Sequence, residues 1–254
     1  MAYLGSMQKI LLLLTLSIAC QFTYAQDKII LQGDTLISLE GRQILLNQQG
    51  FPQQITFLTD TGKANLLAEN IHFHFTRVSD GKDIKLKNGA LTFIKKTDSK
   101  LEWQVTDSSD ELEVKVNGLV ASQTAVLYFV MVKALQDVDL KEITMHIPLR
   151  PDLPKNMEGL GLEMGTRPDS LFHWKWPGSN LRSAEVWLGT ANLGLGYSLN
   201  GSAWDNGTKG GITIGIKGRS LLANNYNGPR TLHKGDELPY IFLLGLKRNE
   251  LIKK

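Results

Sequence analysis

LEWQVTDSSDELEVKVNGLV, residues 101–120, alternates apolar and polar residues twice over. Leu101, Trp103 and Val105 are interleaved with Glu102 and Gln104. After a polar run at 107–110, Leu112, Val114 and Val116 are interleaved with Glu113 and Lys115. Successive side chains of a strand point to opposite faces, so each half reads as a strand with one apolar face, and the polar run between them reads as a turn. Asn117-Gly118 reads as the turn closing the second strand. Residues 125–132 follow as an unbroken apolar run, the pattern of a central strand covered on both faces.

The same grammar extends outward. Upstream, short apolar runs at 29–31, 44–46 and 55–58 are separated by Gly33-Asp34, Glu40-Gly41 and Gly50-Phe51-Pro52, while Ile71, Phe73 and Phe75 alternate with His72, His74 and Thr76. Downstream, Ile143, Met145 and Ile147 lead to Pro148 and Pro151, where the strand pattern is expected to stop, and further runs recur at 186–188, 195–199, 212–216 and 240–246. Long 3.6-residue periodicity and repeats of 20 to 50 residues are both missing. The expected fold is all-β, an antiparallel two-sheet β-sandwich of supersandwich-like type.

Residues 1–25 read as a signal peptide. Lys9 precedes an apolar run at 10–18, and Thr23-Tyr24-Ala25 offers a cleavage site before Gln26. The run is short of the roughly 20 residues that span a bilayer, so no transmembrane helix is expected. The one cysteine, Cys20, lies in this leader behind Ser17-Ile18-Ala19 and permits a rival reading as a lipoprotein acceptor. Such sites usually carry Leu where Ser17 stands, so an exported soluble domain over 26–254, periplasmic or extracellular, is the preferred reading. A chain without mature thiols can use neither disulfides nor cysteine chemistry. The formal charge of +3 is spread among acids with no basic block, which sets nucleic-acid binding aside.

Residues that carry chemistry are few. His72 and His74 share one strand face as a potential pair of metal ligands, but a zinc site needs further ligands, and the polar face of a half-exposed strand accounts for both. His146, His173 and His233 stand isolated, so no metal site or cofactor is assigned. Gly159-Leu160-Gly161 lacks dinucleotide-loop spacing, and Gly196-Tyr197-Ser198-Leu199-Asn200 misses the nucleophile elbow at its last position. Glycoside hydrolysis runs on paired carboxylates, yet Asp110-Glu111 and Asp236-Glu237 sit in polar turns. Glu158, Glu163, Asp169 and Asp205 lie nearer the aromatic stretch. No catalytic residue is assigned.

The aromatic stretch at 159–199 is the densest candidate. Three of the five tryptophans fall there. Trp174 and Trp176 are two apart, so both rings face one side of an extended segment and can cover the apolar face of a sugar, with Arg167 and Asp169 to hydrogen-bond hydroxyls and Trp187 close by. Capping of a sandwich core explains the same rings.

Gly159-Leu160-Gly161, Arg167-Pro168, Trp174-Lys175-Trp176, Val186-Trp187-Leu188-Gly189 and Gly194-Leu195 together resemble the N-terminal domain found ahead of the catalytic barrel in glycoside hydrolase family 123. The resemblance implies a β-sandwich attached to a β-N-acetylgalactosaminidase-type barrel, whose adjacent Asp-Glu pair acts with the substrate's acetamido group. Neither Asp-Glu pair here lies in a barrel context, so the barrel is expected outside this sequence, in a downstream domain or partner chain. The implied role is accessory: supporting or positioning a glycan. The rivals are a self-sufficient glycosidase working through carboxylates on the sandwich, and a purely structural packing module.

Overall fold

The structure, a computed structural model, describes residues 28–176, 183–190, 193–206 and 209–246. The expected signal peptide, Cys20 and the C-terminal basic run lie outside the described residues. In chain order the strands are β1 (Ile30–Gln32), β2 (Leu36–Leu39), β3 (Arg42–Leu46), β4 (Pro52–Thr59), β5 (Gly62–Asn65), β6 (His72–Arg77) and β7 (Thr92–Thr97). Next come β8 (Lys100–Ser108), β9 (Leu112–Ser122), β10 (Ala125–Ala134), β11 (Val138–Leu149), β12 (Asn156–Gly159), β13 (Leu162–Thr166) and β14 (Phe172–Lys175). The last six are β15 (Ser183–Gly189), β16 (Gly194–Asn200), β17 (Gly211–Lys217), β18 (Ser220–Tyr226), β19 (Arg230–Leu232) and β20 (Glu237–Gly245).

These strands form antiparallel sheets, as the alternating patterns require. A nine-stranded sheet runs β13-β12-β15-β16-β20-β10-β9-β8-β7, and a six-stranded sheet runs β14-β17-β18-β11-β19 with β6 paired to the other side of β11. To this sandwich the N-terminal strands add a third sheet, the meander β1 to β5. Ile37, Ile44, Ile55 and Phe51 carry that meander into one continuous core. Phe73, projecting from β6, meets Tyr240 at 5.8 Å and Phe242 at 6.4 Å on the nine-stranded sheet, and so marks where the core joins the two large sheets.

The sequence reading needs three local corrections. Asn117-Gly118 is no turn: β9 runs through it, with Asn117 opposite Phe129 and Gly118 opposite Tyr128. A Cβ at Gly118 would stand 2.2 Å from the Trp103 ring, so glycine is there to admit the indole. Second, β10 is central but covered on one side only. Val126, Tyr128, Val130 and Val132 are buried, while Leu127 and Met131 are half-buried and Phe129 is 37% exposed. Third, β11 continues through Pro148 to Leu149, because Pro148 still accepts a hydrogen bond from Ala68 N–H at 2.9 Å and lies opposite Leu222.

Candidate functional site

The Gly159-Leu160-Gly161 motif is the tip of the β12–β13 hairpin, with φ angles of 101°, 53° and 86°. Leu160 is the sole non-glycine residue with positive φ among the described residues. A Cβ at Gly159 would fall 2.1 Å from the Glu185 carbonyl oxygen, so glycine allows the hairpin to seat against β15. Beside this tip lies a cleft of about 360 Å³ lined by Leu160, Trp174, Ser183 and Glu185. It opens where β14, the edge of the six-stranded sheet, meets the β13-β12-β15 edge of the nine-stranded sheet.

Trp174 is half-buried in that cleft, and Trp176 meets it edge-on with ring centroids 5.0 Å apart. The two rings do share a side, as their spacing predicted, but they are not a pair of exposed faces: Trp176 is 2% exposed and braces Trp174 from within. Trp187 is equally buried, donating its indole N–H to the Thr190 carbonyl at 3.2 Å across the β15–β16 turn. Arg167 spends its guanidinium on the Pro154 and Pro168 carbonyls, at 3.3 and 2.8 Å. Asp169 is exposed, and neither it nor Arg167 lines the cleft. Of the five residues, the fold leaves only Trp174 presenting an aromatic surface to a cavity.

The outward face of the six-stranded sheet holds a cluster that sequence reasoning missed. Because β6 and β11 pair with His72 opposite His146 and His74 opposite Thr144, the supposedly isolated His146 joins the other two. One ring nitrogen from each of the three lies within 4.8 Å of those of the others. His72 Nδ1 sits 2.7 Å from the Asn70 carbonyl, and His74 Nδ1 sits 2.7 Å from Asp83 Oδ2, whose other oxygen accepts from Thr76 at 2.8 Å. The row continues across the sheet, since Asn224 is opposite His146 and Thr213 is opposite Asn224. Beneath the histidines opens a cleft of about 400 Å³ with Glu69, Lys217 and Arg219 on its rim.

Burial sets the protonation states here. It lowers the His146 imidazole to about 3, helped by repulsion from His74, His72 and Lys217. His72 is lowered by burial too, against the opposing hydrogen bond to Asn70. Burial works to raise the Asp83 carboxyl, but hydrogen bonds from Thr76 and His74 outweigh it and hold the group below its ordinary value. Near neutral pH, His72 and His146 are therefore uncharged, with a lone pair on one ring nitrogen each.

The carboxylate pairs have other work. Glu111 accepts from Arg77 at 2.9 Å, Asp236 accepts from the His233 N–H at 2.8 Å, and Glu237 lies 3.6 Å from Lys133. A broader groove of about 1030 Å³ is lined by amides, among them Asn47, Gln48, Gln49, Gln53, Asn70 and Asn88.

The profile of the third domain of glycoside hydrolase 123 matches residues 29–246. The chain belongs to that glycoside hydrolase family. The motif at 159–199 pointed to this family, and the match carries the name third domain where the sequence reading used the name N-terminal domain. A search of curated proteins by sequence gives no match. Among solved structures, this glycoside hydrolase 123 domain is similar to a protein of Escherichia coli K12 described as an aldose 1-epimerase, with TM-score 0.51 and 9% identity over 84% of this chain and 98% of that one. It is likewise similar to the Slr1438 protein of Synechocystis sp. PCC 6803, with TM-score 0.50 and 8% identity over 87% of this chain and 97% of that one. At such identities the likeness is one of fold. No helix among the described residues is long and apolar enough to cross a membrane.

Proposed function

We propose that this domain is exported and serves as the accessory β-sandwich of a glycoside hydrolase 123 protein, holding glycan for a catalytic barrel that lies outside this sequence. The observation that carries the reading is Trp174: a half-buried indole, braced edge-on by Trp176, facing a cleft at the junction of two sheets. An aromatic face fixed in this way stacks on the apolar face of a pyranose with little entropy left to lose. The Ser183 and Glu185 positions add polar groups along the same cleft. Calorimetric titration with oligosaccharides bearing N-acetylgalactosamine tests it. Trp174→Ala should weaken binding about tenfold, the equivalent of one aromatic contact, and equal affinity in the variant would overturn the glycan role. Turnover of an aryl N-acetyl-hexosaminide by this chain alone would overturn the accessory role. A mature N-terminus at Gln26 would support export in soluble form, and a lipid-bearing Cys20 would refute it.

A structural packing role has its own support. On the outward face of the nine-stranded sheet, Leu127 and Phe129 lie beside Leu119, Ile241 and Leu243 in adjacent registers, an apolar strip on the central strands. Strips of this kind mark contact surfaces. If the strip docks the barrel, Phe129→Lys should weaken association with it and leave glycan binding at Trp174 unchanged.

A further inference from the structure

We propose that His72, His74 and His146 form a binding site for a zinc-class divalent metal ion, with one imidazole nitrogen from each as ligand and a fourth position open to the adjacent cleft.

The ligand set comes from two paired strands. His72 and His74 are two apart on β6 and so share its outward face, and His146 stands directly opposite His72 on β11. Their nitrogens lie within 4.8 Å of one another. Tetrahedral zinc at about 2.0–2.1 Å from each nitrogen sets nitrogen–nitrogen separations of about 3.4 Å. Closing separations of up to 4.8 Å to that value completes the site.

The hydrogen bonds behind the rings point the same way. The Asn70 carbonyl occupies Nδ1 of His72 and the Asp83 carboxylate occupies Nδ1 of His74. A carbonyl or carboxylate oxygen can only accept, so each bond takes the Nδ1 proton and, in the neutral ring, leaves the lone pair on Nε2. A carbonyl or carboxylate behind a ligating histidine is the usual device for orienting the ring and raising its basicity. Asp83 is held in place in turn by Thr76.

A second, independent observation concerns Asn224. It lies opposite His146 on the far side of β11, and its side-chain oxygen is buried without a hydrogen-bond partner. Such an orphan acceptor costs about 1–3 kcal/mol. A water bound to the ion donates a proton to an acceptor of this kind and relieves that cost. The cleft of about 400 Å³ leaves room for such a water.

The donor chemistry selects the metal. Three imidazoles and no carboxylate among the ligands suit zinc, nickel or copper(II), and are poor for calcium and magnesium, which take oxygen ligands. Three protein ligands with an open fourth position are the arrangement of sites that bind an exchangeable ligand at the metal, whereas structural zinc sites are closed by four.

The test uses the mature, tag-free chain. Titration with zinc chloride, followed by calorimetry, should show one equivalent bound, and cobalt(II) should give the intense visible absorption of a tetrahedral site. His74→Ala and His146→Gln should each lower zinc affinity at least a hundredfold. Asp83→Asn, which leaves all three ligands in place, should lower it about tenfold to a hundredfold. Circular dichroism of each variant separates lost ligation from lost folding, and Asp83→Asn keeps the test decisive if a histidine variant fails to fold. Stoichiometric zinc that survives in folded His74→Ala or His146→Gln would overturn the proposal, as would absence of stoichiometric zinc and cobalt binding in the unaltered chain. Calcium or magnesium binding as tightly as zinc would overturn it as well.

Discussion

Replacing Gly118 by Ala tests the central packing decision of the fold. Gly118 lies in extended backbone on β9, opposite Trp103 on β8 and Tyr128 on β10. An added methyl would stand 2.2 Å from two atoms of the Trp103 six-membered ring and 2.6 Å from its Nε1, a far closer approach than atoms tolerate. The indole has nowhere to retreat. It is 0% exposed, meets Tyr128 at 5.8 Å and Phe93 at 6.1 Å, and donates its N–H to the Gly50 carbonyl at 2.9 Å. Overpacking a filled core costs about 1–3 kcal/mol. Loss of the buried hydrogen bond adds about 1–3 kcal/mol as the Gly50 carbonyl is left unpaired. The sum, about 2–6 kcal/mol, brackets the cost of deleting a core aromatic outright. Were Asn117-Gly118 a turn, the same change would cost only about 1 kcal/mol. Urea denaturation followed by tryptophan fluorescence measures the difference. A loss below about 1 kcal/mol, within the ordinary spread of surface changes, together with unaltered emission, would refute the placement of Trp103 over Gly118.

Three further outcomes are expected. Asn227 is 0% exposed; it donates to the Ala203 and Trp204 carbonyls and accepts from Arg230 and Tyr240, so Asn227→Ala should cost about 3 kcal/mol in urea denaturation through the groups it strands. Gly159→Ala places a methyl 2.1 Å from the Glu185 carbonyl at a φ of 101°, and should cost about 2–4 kcal/mol by thermal denaturation while distorting the Trp174 cleft. His146, faced by His72, His74, Lys217 and Asp83 with Glu69 and Arg219 on the rim, is lowered to about 3 from its ordinary 6.5. The unfolded chain therefore takes up this proton first. The stability concerned is fully present above pH 6.5 and is lost as pH falls toward 3; after discounting for partial exposure to water it amounts to about 2 kcal/mol. His146→Gln should flatten that acid limb in metal-free buffer, and an unchanged pH profile would refute the assignment.

The alternations at 71–76, 101–105 and 112–116 became β6, β8 and β9, because a two-residue period of apolar side chains has one low-energy outcome when a single face is buried. The family motif at 159–199 was legible for a related reason: the glycines at its hairpin tip and turns answer steric demands that glycine alone meets. The misreadings have physical causes too. Asn-Gly favours a turn locally, but at 117–118 an indole from the neighbouring strand claims the space a Cβ would fill, and long-range packing outweighs local preference. An unbroken apolar run at 125–132 says nothing of whether a second layer covers its outer face.

By its pattern alone the sequence determined that this protein is an antiparallel β-sandwich and, in its alternating strands, which residues face the core, since strand period is a local property. Which strands become neighbours is set by burial across the whole chain, and that decided the candidate sites. Trp176 and Trp187 became core and Trp174 a surface only once two sheet edges met. His146, 72 residues beyond His74, joined its partners only because β11 pairs with β6. A single histidine in a strand carries no record of the strand that will lie beside it.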